Sequence, residues 1–594
     1  MVFCSKPYIP EVVQLSPSRK NDPPEEPVAV TPLGSIRGSW MTSRRGRRFE
    51  AYRGIHYAQP PVGDLRFQPP KPITKYEDEV NAREDGPACP QPLYNGTFVD
   101  EDCLRLNVYT PNRMRYANTA NLPFSGTVLA YFHVPLEAEI IGIYLKPLPV
   151  LVYLHQGGFY VASARSNVVG PHYLMDRDLV LVSVNYRLAS LDLGSTDRLG
   201  FISTGDEHAP GNNGFKDQVA ALRWVQRNIA AFGGDPHCVT LMGYSAGARS
   251  VALHLLSPMS KGLFQRAISM SASPFSQMDI GFDQLDLAKK QAELVGCPTT
   301  SSKAIMDCLK TVPWKRLGDS LPGFAEFAGD PIQIWKPIVE KDFGQERFLP
   351  NHPLELLRSG KMHPMPYIIS QTSNEFYWLA YKIINNASRL ETMDKEWDRV
   401  APISFILPRN DTHPPRVLKE KYIGIEPLKN DSKTTLGLGT LYGDSLTGYP
   451  VHRLANLMCH NSKKPVYYYQ FDYMGRRSFY EDPLTKKPIG VVHHDDLIYL
   501  FPIRTRFEDI GLAGPDAQMV DKMTAIFYNF ARYGDPNPRG DLPEIDDLWW
   551  PPMTPKQRNY LQLGSSFSVH QNLFEDRFRI WDELFPVDYT LRKE

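Results

Sequence analysis

Apolar and polar positions follow two distinct rhythms through the middle of the chain. "PVLVYLH" (149–155) and "DLVLVSVNY" (178–186) are continuous apolar runs, short enough for strands buried on both faces of a parallel sheet. "GFKDQVAALRWVQRNIAAF" (214–232) instead repeats its apolar residues at helical spacing. Phe215, Val219, Leu222, Val225 and Ile229 fall on one face. Gly233 and Gly234 follow, where a helix end favours residues that tolerate left-handed backbone. "CVTLMG" (238–243) then predicts a strand, "AGARSVALHLL" (246–256) a helix, and "PVYYYQFDY" (465–473) a later strand.

This alternation predicts an α/β fold with a large, mostly parallel sheet flanked by helices. Residues 1–27, which include "SRKNDPPEEP", are too rich in proline and charge to build a core and are expected to be a disordered lead-in. From 28 to 594 no long linker, internal repeat or low-complexity stretch interrupts the pattern, so a single domain is expected. Residues 112–148 put 37 residues between two strands and read as an insertion. The stretch 190–197 reads as a shorter one.

Charge narrows the partners. The 66 basic and 66 acidic residues cancel and form no long block of one sign, which argues against a nucleic-acid surface and for a small-molecule partner. No apolar run is long enough to span a bilayer. The nearest, 127–154, is broken by His133, Glu137, Glu139, Lys146 and three prolines. Four N-x-S/T triplets, at Asn95, Asn386, Asn410 and Asn430, suit glycosylation in an extracellular setting. Secretion is therefore expected, although the first residues show no legible signal peptide.

One pentapeptide carries chemistry. Gly243-Tyr244-Ser245-Ala246-Gly247 fits G-x-S-x-G between a predicted strand and a predicted helix, the setting of a nucleophile elbow. The glycines leave room for a sharp turn that exposes the Ser245 hydroxyl. The helix N-terminus beside it favours developing negative charge. A serine needs a base, and the base needs an orienting acid. Of the late histidines, the pair in "GVVHHDDLIYLF" (490–501) is the most suggestive, while spacing alone selects no acid.

From about residue 28 to its end the chain resembles the type-B carboxylesterase and cholinesterase family of α/β-hydrolases. "EDCLRLNVYTP" (101–111) and "GGDPHCVTLMGYSAGARS" (233–250) are similar to its two signatures. "PPVGDLRFQPP" (60–70), "APGNNGFKDQ" (209–218) and "FQRAISMSAS" (264–273) are similar to further segments, in the right order. The resemblance implies serine esterase chemistry with no metal or organic cofactor. "IISQTSNEFYW" resembles the segment of the triad acid, placing that role on Glu375, and "GVVHHDD" places the base on His493, with His494 as the fallback. "LHQGGF" resembles the oxyanion segment, so the amides of Gly157 and Gly158 join that of Ala246. Ser271 matches a serine that supports the triad from behind. Cys89–Cys103 and Cys297–Cys308 match family disulfides, and a third bridge is missing because no cysteine follows Cys459.

Three residues depart from the family pattern: Gln156 for the first oxyanion glycine, Phe376 for a glycine after the acid, and Tyr244 before the serine. Each is expected to add bulk near the gorge. The 13 residues between Cys89 and Cys103 contain no tryptophan to hold a quaternary ammonium, so cholinesterase activity is not expected. "HHDDLIYLF" is more similar to insect-type carboxylesterases, which points to lipophilic or xenobiotic esters. The rival class is an adhesion or binding protein of the same superfamily with a decayed triad. The intact triad and donor glycines favour the enzyme.

Overall fold

The longest apolar runs become the centre of an eleven-stranded sheet. The computed structural model describes residues 26–91, 98–111, 146–188, 200–278, 280–482, 485–539 and 542–589. In chain order the strands are β1 (Val28–Thr31), β2 (Gly34–Arg37), β3 (Ser39–Thr42), β4 (Arg48–His56), β5 (Val80–Asn81), β6 (Arg105–Pro111) and β7 (Leu148–Leu154). Then follow β8 (Val180–Val184), β9 (Gly234–Tyr244), β10 (Arg266–Met270), β11 (Tyr367–Thr372), β12 (Val466–Phe471), β13 (Asn559–Leu563) and β14 (Phe567–Gln571). β1, β2 and β5 form a small separate sheet, and the large one runs β14-β13-β12-β11-β10-β9-β7-β8-β6-β4-β3. Its middle, from β13 to β8, is parallel. The outer pairings are antiparallel.

Period-two geometry explains why the central strands read as unbroken apolar runs. In β7, Val150, Val152 and Leu154 pack into one core, while Leu151 and Tyr153 pack into another on the opposite face. The first core meets Phe215, Val219, Leu222 and Val225 of helix Asn213–Asn228. The second meets Met519, Met523, Ile526 and Phe530 of helix Pro515–Tyr533. Each fully buried Leu, Val or Phe contributes about 1.5–3 kcal/mol. A third apolar cluster, including Leu379, Trp397, Leu438 and Trp581, joins helices from Trp378 onward.

The predicted boundaries are close to those observed. Helix Asn213–Asn228 continues into a 3-10 turn, Ile229–Phe232, and stops at Gly233, whose φ is 79°. Both expected disulfides form, while Cys238 and Cys459 are free and buried. Asn386, Asn410 and Asn430 are exposed. Asn95, the stretch 190–197 and nearly all of 112–148 lie outside the described residues. Among the described residues, no helix is long and apolar enough to cross a membrane.

One buried ion pair ties this framework together. Arg187, just past β8, and Asp217, near the start of helix Asn213–Asn228, have fully buried side chains. Asp217 accepts from Arg187 Nε at 2.8 Å, Nη2 at 2.6 Å and the backbone N–H at 3.1 Å. Removing one partner leaves an uncompensated buried charge, which costs about 3–5 kcal/mol. Asp217→Asn is therefore expected to lower the unfolding free energy by about that amount in chemical denaturation. A loss below about 1 kcal/mol would contradict this account.

Candidate active site

The carboxyl ends of the parallel strands supply every group of the site, as is usual for open α/β sheets. Ser245 follows β9 directly and caps helix Ala246–His254, with φ 53° and ψ −116°. Its N–H donates to the Met270 carbonyl at 2.8 Å, which holds the strained residue in place. The flanking glycines are steric necessities. A Cβ on Gly243 would lie 2.2 Å from the Gly247 backbone, and one on Gly247 would lie 2.0 Å from the Leu154 carbonyl oxygen.

Glu375 comes from the loop after β11, and His493 from the loop after β12. The two loops are joined directly. Asn374 N–H donates to the Val491 carbonyl at 2.9 Å, and Val491 N–H donates to Asn374 Oδ1 at 3.2 Å. A Cβ on Gly490 would meet Asn374 Oδ1 at 2.7 Å. Asp495 braces the far side of the histidine loop, accepting from the backbone N–H of Val492 at 2.9 Å and of Phe479 at 2.7 Å.

The result is one continuous line. His493 Nδ1 lies 2.5 Å from Glu375 Oε2, and His493 Nε2 lies 3.0 Å from Ser245 Oγ. Thr372 N–H donates to Glu375 Oε1 at 2.8 Å, and the Ser271 hydroxyl also bonds Glu375. Phe376 stacks on the His493 ring at 4.2 Å between centroids, with Tyr244 at 5.2 Å. His494 makes no part of this line. Its φ is 83°, its ring stacks on Tyr244, and its Nε2 is buried without a partner among the described residues.

The structure revises the expected crowding. Gln156 is buried and its side-chain oxygen accepts from the Tyr153 hydroxyl at 2.8 Å. Tyr244 is fully buried, donating to Ser271 Oγ at 3.1 Å and accepting from His494 N–H at 2.7 Å. Neither lines the small cavity beside Ser245, because each side chain is held by polar partners in the packed layer behind it. Phe376 does line it, with Gly158, Phe159, Ala246 and Arg249. Among the described residues, nothing accepts from the N–H groups of Gly157, Gly158 or Ala246. Gly157 and Gly158 have φ of 108° and 59°. Added Cβ atoms would meet Val161 O at 2.0 Å and the Tyr160 ring at 2.1 Å.

Some supporting residues escaped the sequence reading. Asp495 and Asn374 carry signals only in hindsight, as the first aspartate of "HHDD" and the residue before the acid. The π-helical turn Asp444–Gly448, which contributes Leu446 and Thr447 to the cavity, left no signal in the apolar pattern.

The carboxylesterase family model matches residues 25–581. A carboxylic ester hydrolase of Bombus ignitus is 34% identical, over 96% of this chain and 95% of its own. A juvenile hormone esterase of Tribolium castaneum is also 34% identical, over 87% and 85%. The crystal structure of juvenile hormone esterase from Manduca sexta, with OTFP covalently attached, superimposes with a TM-score of 0.77 at 27% identity, over 95% of this chain and 100% of that one. The fold is thus that of the α/β-hydrolases, as expected, and the adhesion alternative gains nothing from these relatives.

Burial sets the protonation states. It lowers the His493 imidazole to about 3, leaving it neutral and able to accept a proton. It raises the Glu375 carboxyl to about 7, against the hydrogen bonds from Ser271 and Thr372 that favour the anion. The carboxylate that steadies a charged imidazole is thus present above about pH 7 and lost as pH falls through it. A reaction using His493 as base is expected to show kcat/KM falling on the acid side with a midpoint near 7. A flat profile from about pH 8 to about pH 5 would contradict this.

Proposed function

The chain belongs to the carboxylesterase family and hydrolyses carboxylic esters, and on that premise we propose that Ser245, His493 and Glu375 carry the reaction through a covalent acyl-enzyme. The observation that carries this reading is the unbroken line from Glu375 Oε2 through the imidazole to Ser245 Oγ, at 2.5 and 3.0 Å.

As Ser245 Oγ attacks the ester carbonyl carbon, His493 Nε2 takes its proton. Glu375 keeps Nδ1 protonated and stabilises the imidazolium. The carbonyl oxygen becomes an oxyanion facing the amides of Gly157, Gly158 and Ala246. Each such donor is typically worth about a hundredfold or more in turnover. His493 then gives its proton to the departing alkoxide. Water repeats the sequence on the acyl-enzyme, releasing the acid. Ser271 and Tyr244 are positioning residues, acting through Glu375 and the histidine loop.

Substrate and location follow from the surroundings of this line. The apolar lining by Phe159, Ala272, Ile332, Phe376 and Leu446 favours lipophilic esters. Two disulfides and three exposed glycosylation triplets suit an oxidising, extracellular setting. A venom carboxylesterase of Apis mellifera is among the relatives, at 32% identity over 90% of this chain.

The test is labelling and turnover. Wild type is expected to react with a fluorophosphonate probe and to hydrolyse a short-chain aryl ester. Ser245→Ala should lose both, with turnover down by about ten-thousandfold or more. Unlabelled wild type, or labelling retained in Ser245→Ala, would overturn the assignment.

A further inference from the structure

The triad chemistry leaves two cations at its edge without a use. Arg249 stands four residues after Ser245 on the same helix, one turn along, and lines the same cavity. It is 6% exposed. Its Nε donates to the Ser273 carbonyl at 3.2 Å, which fixes the plane of the guanidinium. The two terminal nitrogens have no protein acceptor among the described residues, and the residue lines the cavity that holds Ser245.

Lys336 lines a larger neighbouring cavity of about 400 Å³, and Gln333 lines both. The Lys336 backbone is clamped by one side chain. Its N–H donates to Gln284 Oε1 at 3.0 Å, and Gln284 Nε2 donates to its carbonyl at 2.9 Å. Its ammonium makes no ion pair among the described residues. Burial, with a smaller effect of the positive charges of Arg249 and Arg409, lowers it to about 8.

The larger cavity also holds a matched pair. Arg409 is held by both oxygens of Glu326, at 2.7 and 2.8 Å. Lys290 lies over the Phe324 ring at 5.0 Å. Arg249 is buried and Lys336 half-buried, and neither has an acidic partner among the described residues. That costs free energy, which an anion between them would return. A guanidinium with free terminal nitrogens matches a carboxylate, and the ammonium adds a second charge-assisted donor.

We propose that Arg249 and Lys336 form an anion subsite of the substrate pocket, receiving a carboxylate carried by the ester itself. The substrates are then amphipathic esters, such as half-esters of dicarboxylic acids, whose chain crosses the small cavity between Ser245 and Arg249. This deepens the esterase reading and rests on it. It also narrows the lipophilic substrate class, since a purely neutral ester leaves both cations unmatched.

Two arms test it. In the first, pH-stat rates are compared for monoethyl esters of dicarboxylic acids and ethyl alkanoates of equal chain length. Wild type is expected to prefer the charged series. Lys336→Met should reduce that preference by about tenfold, mainly through KM, and Lys336→Arg should keep it. In the second, calorimetry follows octanoate binding to the resting protein, expected in wild type and weakened in both Lys336→Met and Arg249→Met. Neutral esters hydrolysed with no charge preference and no octanoate binding would overturn the subsite while leaving the triad standing. Octanoate binding without hydrolysis of any ester would instead remove the triad reading and keep the subsite.

Discussion

The site depends on bringing a glutamate and a histidine to 2.5 Å in a place with almost no water. His493 is 1% exposed and Glu375 3%. Two loops from adjacent strands must converge to do this, and the fold spends many interactions on holding them. Asn374 locks one loop to the other, Asp495 braces the histidine loop from outside, and Phe376 covers the imidazole face. Gly443 lets a helix approach within 2.4 Å of the Glu375 carbonyl, measured from where a Cβ would sit. Dehydration of the pair keeps the imidazole neutral at rest and makes the carboxylate strongly coupled to any charge that forms on it.

The serine meets this pair through a second constraint, the turn from β9 into helix Ala246–His254. The backbone of Gly247 presses on Leu154 at the end of β7, so Ser245, the loop of Gly157 and Gly158, and the sheet are set by one contact. This is why the loop after β7 and the elbow after β9 lie side by side. β7 and β9 are hydrogen-bonded neighbours, with Leu154 opposite Gly243. Bulk at Tyr244 is accommodated because its phenol points away from the cavity, into the layer where it links Ser271 to the histidine loop.

Legibility in the sequence followed the physics of each feature. Central strands and the helix over 213–228 were readable because burial on two faces, or on one stripe, writes a period into the apolar residues. Ser245 was readable because its turn tolerates only glycine at two fixed positions. Glu375 and His493 were not readable from spacing, since they are distant in sequence and meet only through the order of β11 and β12. Their placement came from resemblance to family segments. The bulk expected of Gln156 and Tyr244 near the gorge lies elsewhere, because a residue's neighbours in sequence do not reveal which layer receives its side chain. Arg249 sat in plain view inside the serine signature, yet its environment became meaningful only when Lys336, 87 positions away, appeared beside the same glutamine.

Two adjacent histidines offer the most direct test of this account, because they are neighbours in the chain and differ in geometry. Only His493 joins the carboxylate to the serine, while His494 packs on Tyr244 and supports the loop. The measurement is kcat/KM on a neutral aryl ester for His493→Ala and His494→Ala, with folding of both checked by circular dichroism. The account predicts a loss of about a thousandfold or more for His493→Ala, and of about tenfold or less for His494→Ala. A larger loss in His494→Ala than in His493→Ala would contradict it.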